Sequence, residues 1–129
     1  MKNDDINTLI KYRLDQAQTA LDDAEFLYQG QRSSQSIVNR AYYAMFYAVL
    51  ALLQKIGKVP SKHTGVISLF DTEFVIKGIF PKELSKDFHK LFEMRQVLDY
   101  KTSDEITAEQ AEDAINRAGL FVESVIKYI

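Results

Sequence analysis

Arg95 is the residue whose type and position most need a chemical explanation. It lies on a stripe of apolar residues spaced by three and four positions, as one face of a helix requires: Leu84, Phe88, Leu91 and Leu98. Burying an unpaired guanidinium is costly, so Arg95 must be paired, reach solvent or face a functional cleft. Asp99, one turn beyond it, and Tyr100 would place a carboxylate and a phenol at the same helix end. Together the guanidinium, the carboxylate and the phenol can hold a phosphodiester. The alternative is that Arg95 and Asp99 form only a local salt bridge.

Further polar residues are candidates for the same cleft. Asn39 and Arg40 form a polar step where a strongly apolar helix begins, and Asn39 lies one turn before Tyr43 on the same face. The guanidinium of Arg40 can bind the same anion as Arg95. Alternatively, the side chain of Arg40 only carries its charge to the surface. His63 can cap its helix, contact a partner or join a site contributed by other helices.

Several classes of active site find no support in the sequence. The chain has no cysteine and two histidines, and no histidine and carboxylate share metal-ligand spacing on one helix face. His89 stands among charged residues, about 120° around the helix from Arg95, and is expected to face solvent. A glycine-rich phosphate loop and a nucleophile elbow are also missing. We therefore expect no metal, no cofactor and none of the common hydrolase mechanisms.

The elements that position these residues are predicted to be helices. The chain of 129 residues is 47% apolar, with five glycines and two prolines, which favours helices in a single domain spanning 1–129. Apolar spacing predicts helices over about 4–29 and 34–56, a shorter one capped by Ser61 and reaching Phe74, one from Pro81 to near Tyr100, and one from Thr107 onward. Gly30 is expected to stop the first helix. The fold class is all-α, an up-down four-helix bundle with one additional short helix.

The second helix is predicted to be central. Residues 41–53 are all apolar or aromatic, but thirteen residues are fewer than the roughly twenty that span a bilayer. Part of its cover is expected from a second copy of the chain, so the protein is predicted to be a homodimer. Because the amino terminus is polar, we expect no signal peptide, no membrane association and a cytoplasmic location.

The final helix is predicted to start with a capping box, Thr107 to Gln110, and to pack through a narrow seam. The seam residues alternate at three and four positions: Ala108, Ala111, Ile115, Ala118, Val122, Val125 and Ile129. Trimming this end should therefore destabilise the fold. The net charge of -2 offers no global field for RNA, so any nucleic-acid contact must be a local patch.

Taken in order, these segments resemble the HEPN domain (higher eukaryotes and prokaryotes nucleotide-binding), in its small stand-alone prokaryotic form. The resemblance is carried by residues 39–48 (NRAYYAMFYA), 51–53 (ALL) and 61–66 (SKHTGV), by Phe70 and Phe74, and by Arg95 with Asp99-Tyr100. It implies a helical, commonly homodimeric protein that binds a nucleotide or RNA. It also implies a toxin–antitoxin pair in which the partner is a nucleotidyltransferase.

The chain departs from the family pattern at its catalytic motif. Active members are metal-independent ribonucleases in which a histidine follows the arginine, but here the corresponding positions hold Tyr100, Lys101 and Thr102. An unperturbed phenol, with a pKa of about 10, exchanges protons poorly near neutral pH. The preferred hypothesis is therefore a non-catalytic or degenerate HEPN module that binds a nucleotide, RNA or a partner. The alternative is a metal-independent ribonuclease toxin that uses Arg95 with His63 or Tyr100.

Overall fold

The computed structural model describes residues 3–97 and 105–129, and these form five α-helices and no strand. Their bounds are α1 (Asn3–Gln29), α2 (Ser34–Lys55), α3 (His63–Phe70), α4 (Lys82–Val97) and α5 (Ala108–Tyr128). A single π-helical turn, Asp71–Val75, continues α3. The predicted class, an all-α bundle of four long helices and one short one, is confirmed.

The core of the bundle is built around α2. Four alanines on one edge of α2 are fully buried, as are alanines of α1, and small side chains allow the two helices to lie close together: Ala41, Ala44, Ala48 and Ala51 with Ala17 and Ala24. α4 and α5 also pack on α2. By length and composition α2 is apolar enough to cross a membrane, yet 61% of that stretch is buried inside the protein. It is therefore placed as the core helix of the bundle.

Side chains cap the starts of α2 and α5, and the α5 cap was predicted. Ser33 caps α2 by accepting a hydrogen bond from the Ser36 amide, and Thr107 and Gln110 form the predicted capping box of α5. Ser61 was wrongly predicted as a cap, since Lys62 precedes the first turn of α3 and its side chain makes no capping bond. Ala108 of the predicted α5 seam is also exposed, because it lies in the first turn, before the helix reaches the core.

The turns depend on three residues with positive φ. α1 ends at Gln29, next to the predicted stop Gly30, but the left-handed conformation falls on Gln31, with φ 54°. Gly57 and Gly78 have φ of 76° and 80°, which glycine adopts without steric cost. Gly78 lets the chain reverse between the π-helical turn and α4.

Polar contacts brace α4 on two sides. Arg117 of α5 binds Asp87 of α4 and Asp113 of its own helix. On the other side Asp71, at the start of the π-helical turn, accepts hydrogen bonds from Ser85 at 2.6 Å and binds His89 at 2.7 Å. His89 is about half exposed, as predicted, but it also holds this turn against α4.

Candidate functional site

Arg95 lies in the last described turn of α4, against aromatic rings of α2. Its guanidinium carbon is 4.9 Å from the ring centre of Tyr42 and 5.7 Å from those of Tyr43 and Phe92. A cation over ring faces at these distances is stabilised by the ring quadrupoles. One terminal nitrogen lies 3.5 Å from the Tyr43 hydroxyl, to which it donates a long hydrogen bond. The buried Nε has no hydrogen-bond partner among the described residues.

Tyr42 connects Arg95 to His63. Its side chain is fully buried, and its hydroxyl lies 2.9 Å from Nδ1 of His63, at the start of α3. The imidazole also stacks on Phe46, with ring centres 4.4 Å apart. Burial raises the pKa of Tyr42 and outweighs the opposing effect of Arg95, so its phenol stays protonated. The hydroxyl and the imidazole thus form a neutral pair beneath the guanidinium.

The titration of His63 is shifted by the same surroundings. Its pKa is lowered, first because partial burial disfavours the charged imidazolium and second because Arg95 repels it. At neutral pH the ring is therefore uncharged. A neutral imidazole beside a fixed cation can accept a proton.

Arg40 also lies near the ring of Tyr43. Its guanidinium carbon is 5.1 Å from the Tyr43 ring centre, and it donates a hydrogen bond of 3.3 Å to Asn39. The Tyr43 ring therefore contacts two cations, Arg40 and Arg95. Within residues 3–97 and 105–129 neither guanidinium has a carboxylate within ion-pair distance.

We call this group the arginine–aromatic cluster, defined by Arg40, Tyr42, Tyr43, His63 and Arg95. It combines two guanidiniums, a neutral imidazole and phenol hydroxyls. Guanidiniums without carboxylate partners bind phosphate oxygens by paired hydrogen bonds, and aromatic faces stack on nucleobases. Across the described part of the chain no set of three or more histidines and carboxylates is arranged to hold a metal ion. The groups of the cluster can bind an anion and transfer protons.

The predicted site residues meet only in part. Four of them, Arg95, Arg40, Tyr43 and His63, come together, and Asn39 contacts the cluster through Arg40. Asp99 and Tyr100 lie outside the described residues.

Sequence reasoning missed three aromatic members of the surroundings: Tyr42, Phe46 and Phe92. The available signal was the pair Tyr42 and Phe46, which stand one turn apart in α2 and therefore share a face. Phe92 stands three residues before Arg95 in α4, so the spacing also indicates that these two side chains share a helix face. These rings complete the aromatic wall against which the guanidinium and the imidazole lie.

Comparison with known proteins shows which family the chain is similar to. The family model described as HEPN domain matches residues 10–128. A "UPF0332 protein" of Thermotoga maritima is 41% identical over 94% of this chain and 91% of its own length. Two proteins of Methanocaldococcus jannaschii, each named "Putative toxin", are 34% and 33% identical over 97% and 90% of this chain, and over 92% and 78% of their own lengths.

The match covers all five helices except the first turns of α1 and the last residue of the chain. The helical bundle and this match together define the class of the protein. The chain belongs to the HEPN domain family.

Proposed function

We propose that this protein is a HEPN module that binds a phosphate group of RNA or of a nucleotide at the arginine–aromatic cluster. The observation that carries the proposal is the state of Arg95. Its guanidinium is oriented by three rings, its Nε is buried, and no carboxylate of the described residues neutralises it. A phosphate oxygen is a ligand that would satisfy such a group.

The position of Arg40 supports the same ligand. Two guanidiniums near one tyrosine ring repel each other, and an anion bound to both would offset that repulsion. Because the whole chain carries a net charge of -2, this local concentration of positive charge is not a general property of the surface. It favours a localised anion site over diffuse binding of a polyanion.

The assembly that we propose is a homodimer acting as the toxin half of a toxin–antitoxin pair. The names of two relatives contain the word toxin, which supports the pairing with an antitoxin. The aromatic side of α2 is only partly covered in one copy of the chain: Tyr43, Phe46, Tyr47 and Leu50. A second copy could cover it and bring two clusters together. A nucleotidyltransferase is the partner that we propose, in the cytoplasm.

Metal-independent ribonuclease activity is the second candidate function. The specific observation in its favour is that His63, uncharged at neutral pH, shares Tyr42 with Arg95. His63 would accept the proton of a ribose 2′-hydroxyl as its oxygen attacks the adjacent phosphorus. Arg95 would stabilise the negative charge that develops on the phosphate. The leaving 5′-oxygen would take a proton from water as its bond to phosphorus breaks, which leaves a 2′,3′-cyclic phosphate.

One assay with two readouts tests both functions. A labelled single-stranded RNA is titrated with the protein in EDTA, and anisotropy reports binding while gel electrophoresis reports cleavage. We expect binding that weakens at least about tenfold in Arg95→Ala, a loss of roughly 1.4 kcal/mol. Arg95→Lys should recover little, because an ammonium lacks the planar fork. Arg32→Ala removes an exposed arginine that is not a member of the cluster and is the matched control.

The outcomes separate the candidates. Binding without cleavage supports the binding module, and cleavage lost in both Arg95→Ala and His63→Gln supports the ribonuclease. Equal binding by the wild type and Arg95→Ala, with both folded by circular dichroism, would contradict the proposed site.

A further inference from the structure

One end of the bundle carries an unusual concentration of exposed apolar side chains. Nine large hydrophobic residues are exposed in the described part of the chain, and five belong to this end: Ile56, Val59, Ile76, Ile79 and Tyr128. Val59 and Ile76 are 82% and 77% exposed, so they contribute almost nothing to the core. We call these five residues the end patch.

Contacts between neighbouring residues place the patch segments together. Lys58, beside Val59, lies 3.6 Å from Glu73, which also binds Lys77, beside Ile76. The connection between α2 and α3 therefore lies against the π-helical turn. Phe80, beside Ile79, packs on Tyr128 of α5 with ring centres 5.3 Å apart. Three separate stretches of chain thus present their apolar side chains at one end.

Two of the three chain segments that form the end patch carry an excess of positive charge. Residues 55–62 and 73–81, which contain four of its five members, carry Lys55, Lys58, Lys62 and Lys77 against the single carboxylate Glu73. Lys55 lies 5.9 Å from the Tyr128 ring centre and, within the described residues, has no carboxylate partner. This local excess of cations contrasts with the net charge of -2 for the whole chain.

The packing of the bundle does not explain why these apolar side chains are exposed at one end. Exposed aliphatic side chains that cluster at one place mark interaction sites on soluble proteins. The patch shares no residue with the arginine–aromatic cluster, and along α2 Ile56 lies thirteen residues, roughly 20 Å, beyond Tyr43. An apolar centre with a basic rim is complementary to a surface with the same centre and an acidic rim.

We infer that the end patch is a docking surface for a partner protein, which contributes an amphipathic segment with aliphatic residues on one face and Asp or Glu beside them. Val59 and Ile76 anchor the apolar face, and Lys55 pairs with an acidic side chain of the partner. Lys58 and Lys77 share the single carboxylate Glu73 and so leave a net positive charge beside it. A partner bound at the end patch leaves the arginine–aromatic cluster accessible. Partner binding here and phosphate binding there are therefore compatible on one molecule.

The test uses the full chain and a designed probe. The probe is a fluorescein-labelled helical peptide of about 18 residues, with Leu recurring every three or four positions and Glu between them. Its control has Lys in place of Glu. We expect saturable binding of the acidic peptide alone, weaker in high salt because the rim charges are screened.

Two variants locate the binding. Val59→Ser with Ile76→Ser should weaken binding of the acidic peptide at least about tenfold. Both side chains are mostly exposed, so the variant should keep its fold. Phe26→Ser is the matched control, because Phe26 is 79% exposed on α1, away from the patch, and its loss should change nothing.

Three results would overturn the inference. The first is equal binding by the wild type and the Val59, Ile76 variant, or no binding of the acidic peptide at all. The second is binding to phosphatidylglycerol vesicles that the same variant abolishes, which would assign the patch to a lipid surface. The third is loss of self-association in the variant, which would assign it to a second copy of the chain.

Discussion

His63 and Tyr42 form a hydrogen-bonded pair in which neither group carries charge at neutral pH. Burial disfavours the phenolate as well as the imidazolium, and Arg95 further disfavours the imidazolium. The fixed positive charge of the site therefore stays on the guanidiniums. An incoming phosphate meets a cationic centre whose charge is independent of pH across the neutral range.

The lowered pKa of His63 predicts a dependence of stability on pH. An unfolded histidine takes up a proton near pH 6.5, whereas the folded one does so at lower pH. Between these two values the unfolded chain binds more protons, so the free energy of unfolding decreases as pH falls below about 6.5. Thermal midpoints measured from pH 8 to 5 should therefore decrease more steeply for the wild type than for His63→Gln. Parallel curves for the two proteins would contradict the assignment.

The sequence predicted Arg95 as a site residue but not its surroundings. A charged residue on an apolar stripe is visible from spacing alone, because spacing determines which residues share a helix face. The contact of Arg95 with Tyr42 depends on how α4 is rotated against α2, and the Tyr42–His63 bond depends on where α3 starts. Neither rotation nor relative placement is encoded in the periodicity of one helix.

The helix connections show how local conformation limits sequence change. Gly78 has a φ of 80° between the π-helical turn and α4, and a Cβ there would meet no neighbouring atom. The cost of an alanine at Gly78 would therefore be backbone strain alone. Gly119 is also in open surroundings, but it lies inside α5, where glycine lowers helix stability.

Alanine at these two glycines should change stability in opposite directions. Gly78→Ala should lower the free energy of unfolding by about 1–2 kcal/mol, because the left-handed conformation is disfavoured for an L-residue. Gly119→Ala should raise it by about 0.5–1 kcal/mol, because alanine restricts the unfolded chain and favours the helix. Urea denaturation of both variants measures the two effects. Stabilisation by Gly78→Ala would show that this turn changes conformation at little cost.

At the level of whole helices the sequence was informative, because each long helix has its own amphipathic pattern and its own start signal. The capping box of α5 and the end of α1 beside Gly30 were predicted from residue types alone. The π-helical turn was not, since it arises where Asp71 is held by Ser85 and His89 of another helix. Such a tertiary contact leaves no local signature.

At the scale of the whole molecule, the aromatic side of α2 is only partly covered by one copy of the chain. Tyr43, Phe46, Tyr47 and Leu50 are packed against the core yet remain partly exposed. Burying apolar area of this kind between two copies is the usual driving force of a homodimer. The rest of α2 is enclosed by α1, α4 and α5, which explains why its high apolar content predicted a central helix correctly.

The proposed homodimer makes stability depend on protein concentration. We expect the thermal midpoint to rise between low and high micromolar concentration, because association removes folded monomer from the unfolding equilibrium. Light scattering should give a mass near twice the 14.8 kDa of one chain. Tyr47→Glu, which places a charge on the aromatic side of α2, should give the monomer mass. A wild-type monomer at high micromolar concentration would exclude the dimer.

The enclosed position of Tyr42 has an optical consequence. The chain contains seven tyrosines and no tryptophan, so its ultraviolet emission comes from phenol rings alone. Tyr42 is the one tyrosine among the described residues that is completely shielded from water, and it is joined by its hydroxyl to an imidazole and lies beneath a guanidinium. Any ligand that draws Arg95 away from this ring changes the surroundings of that chromophore. The protein therefore carries an intrinsic fluorescent reporter at its own candidate site.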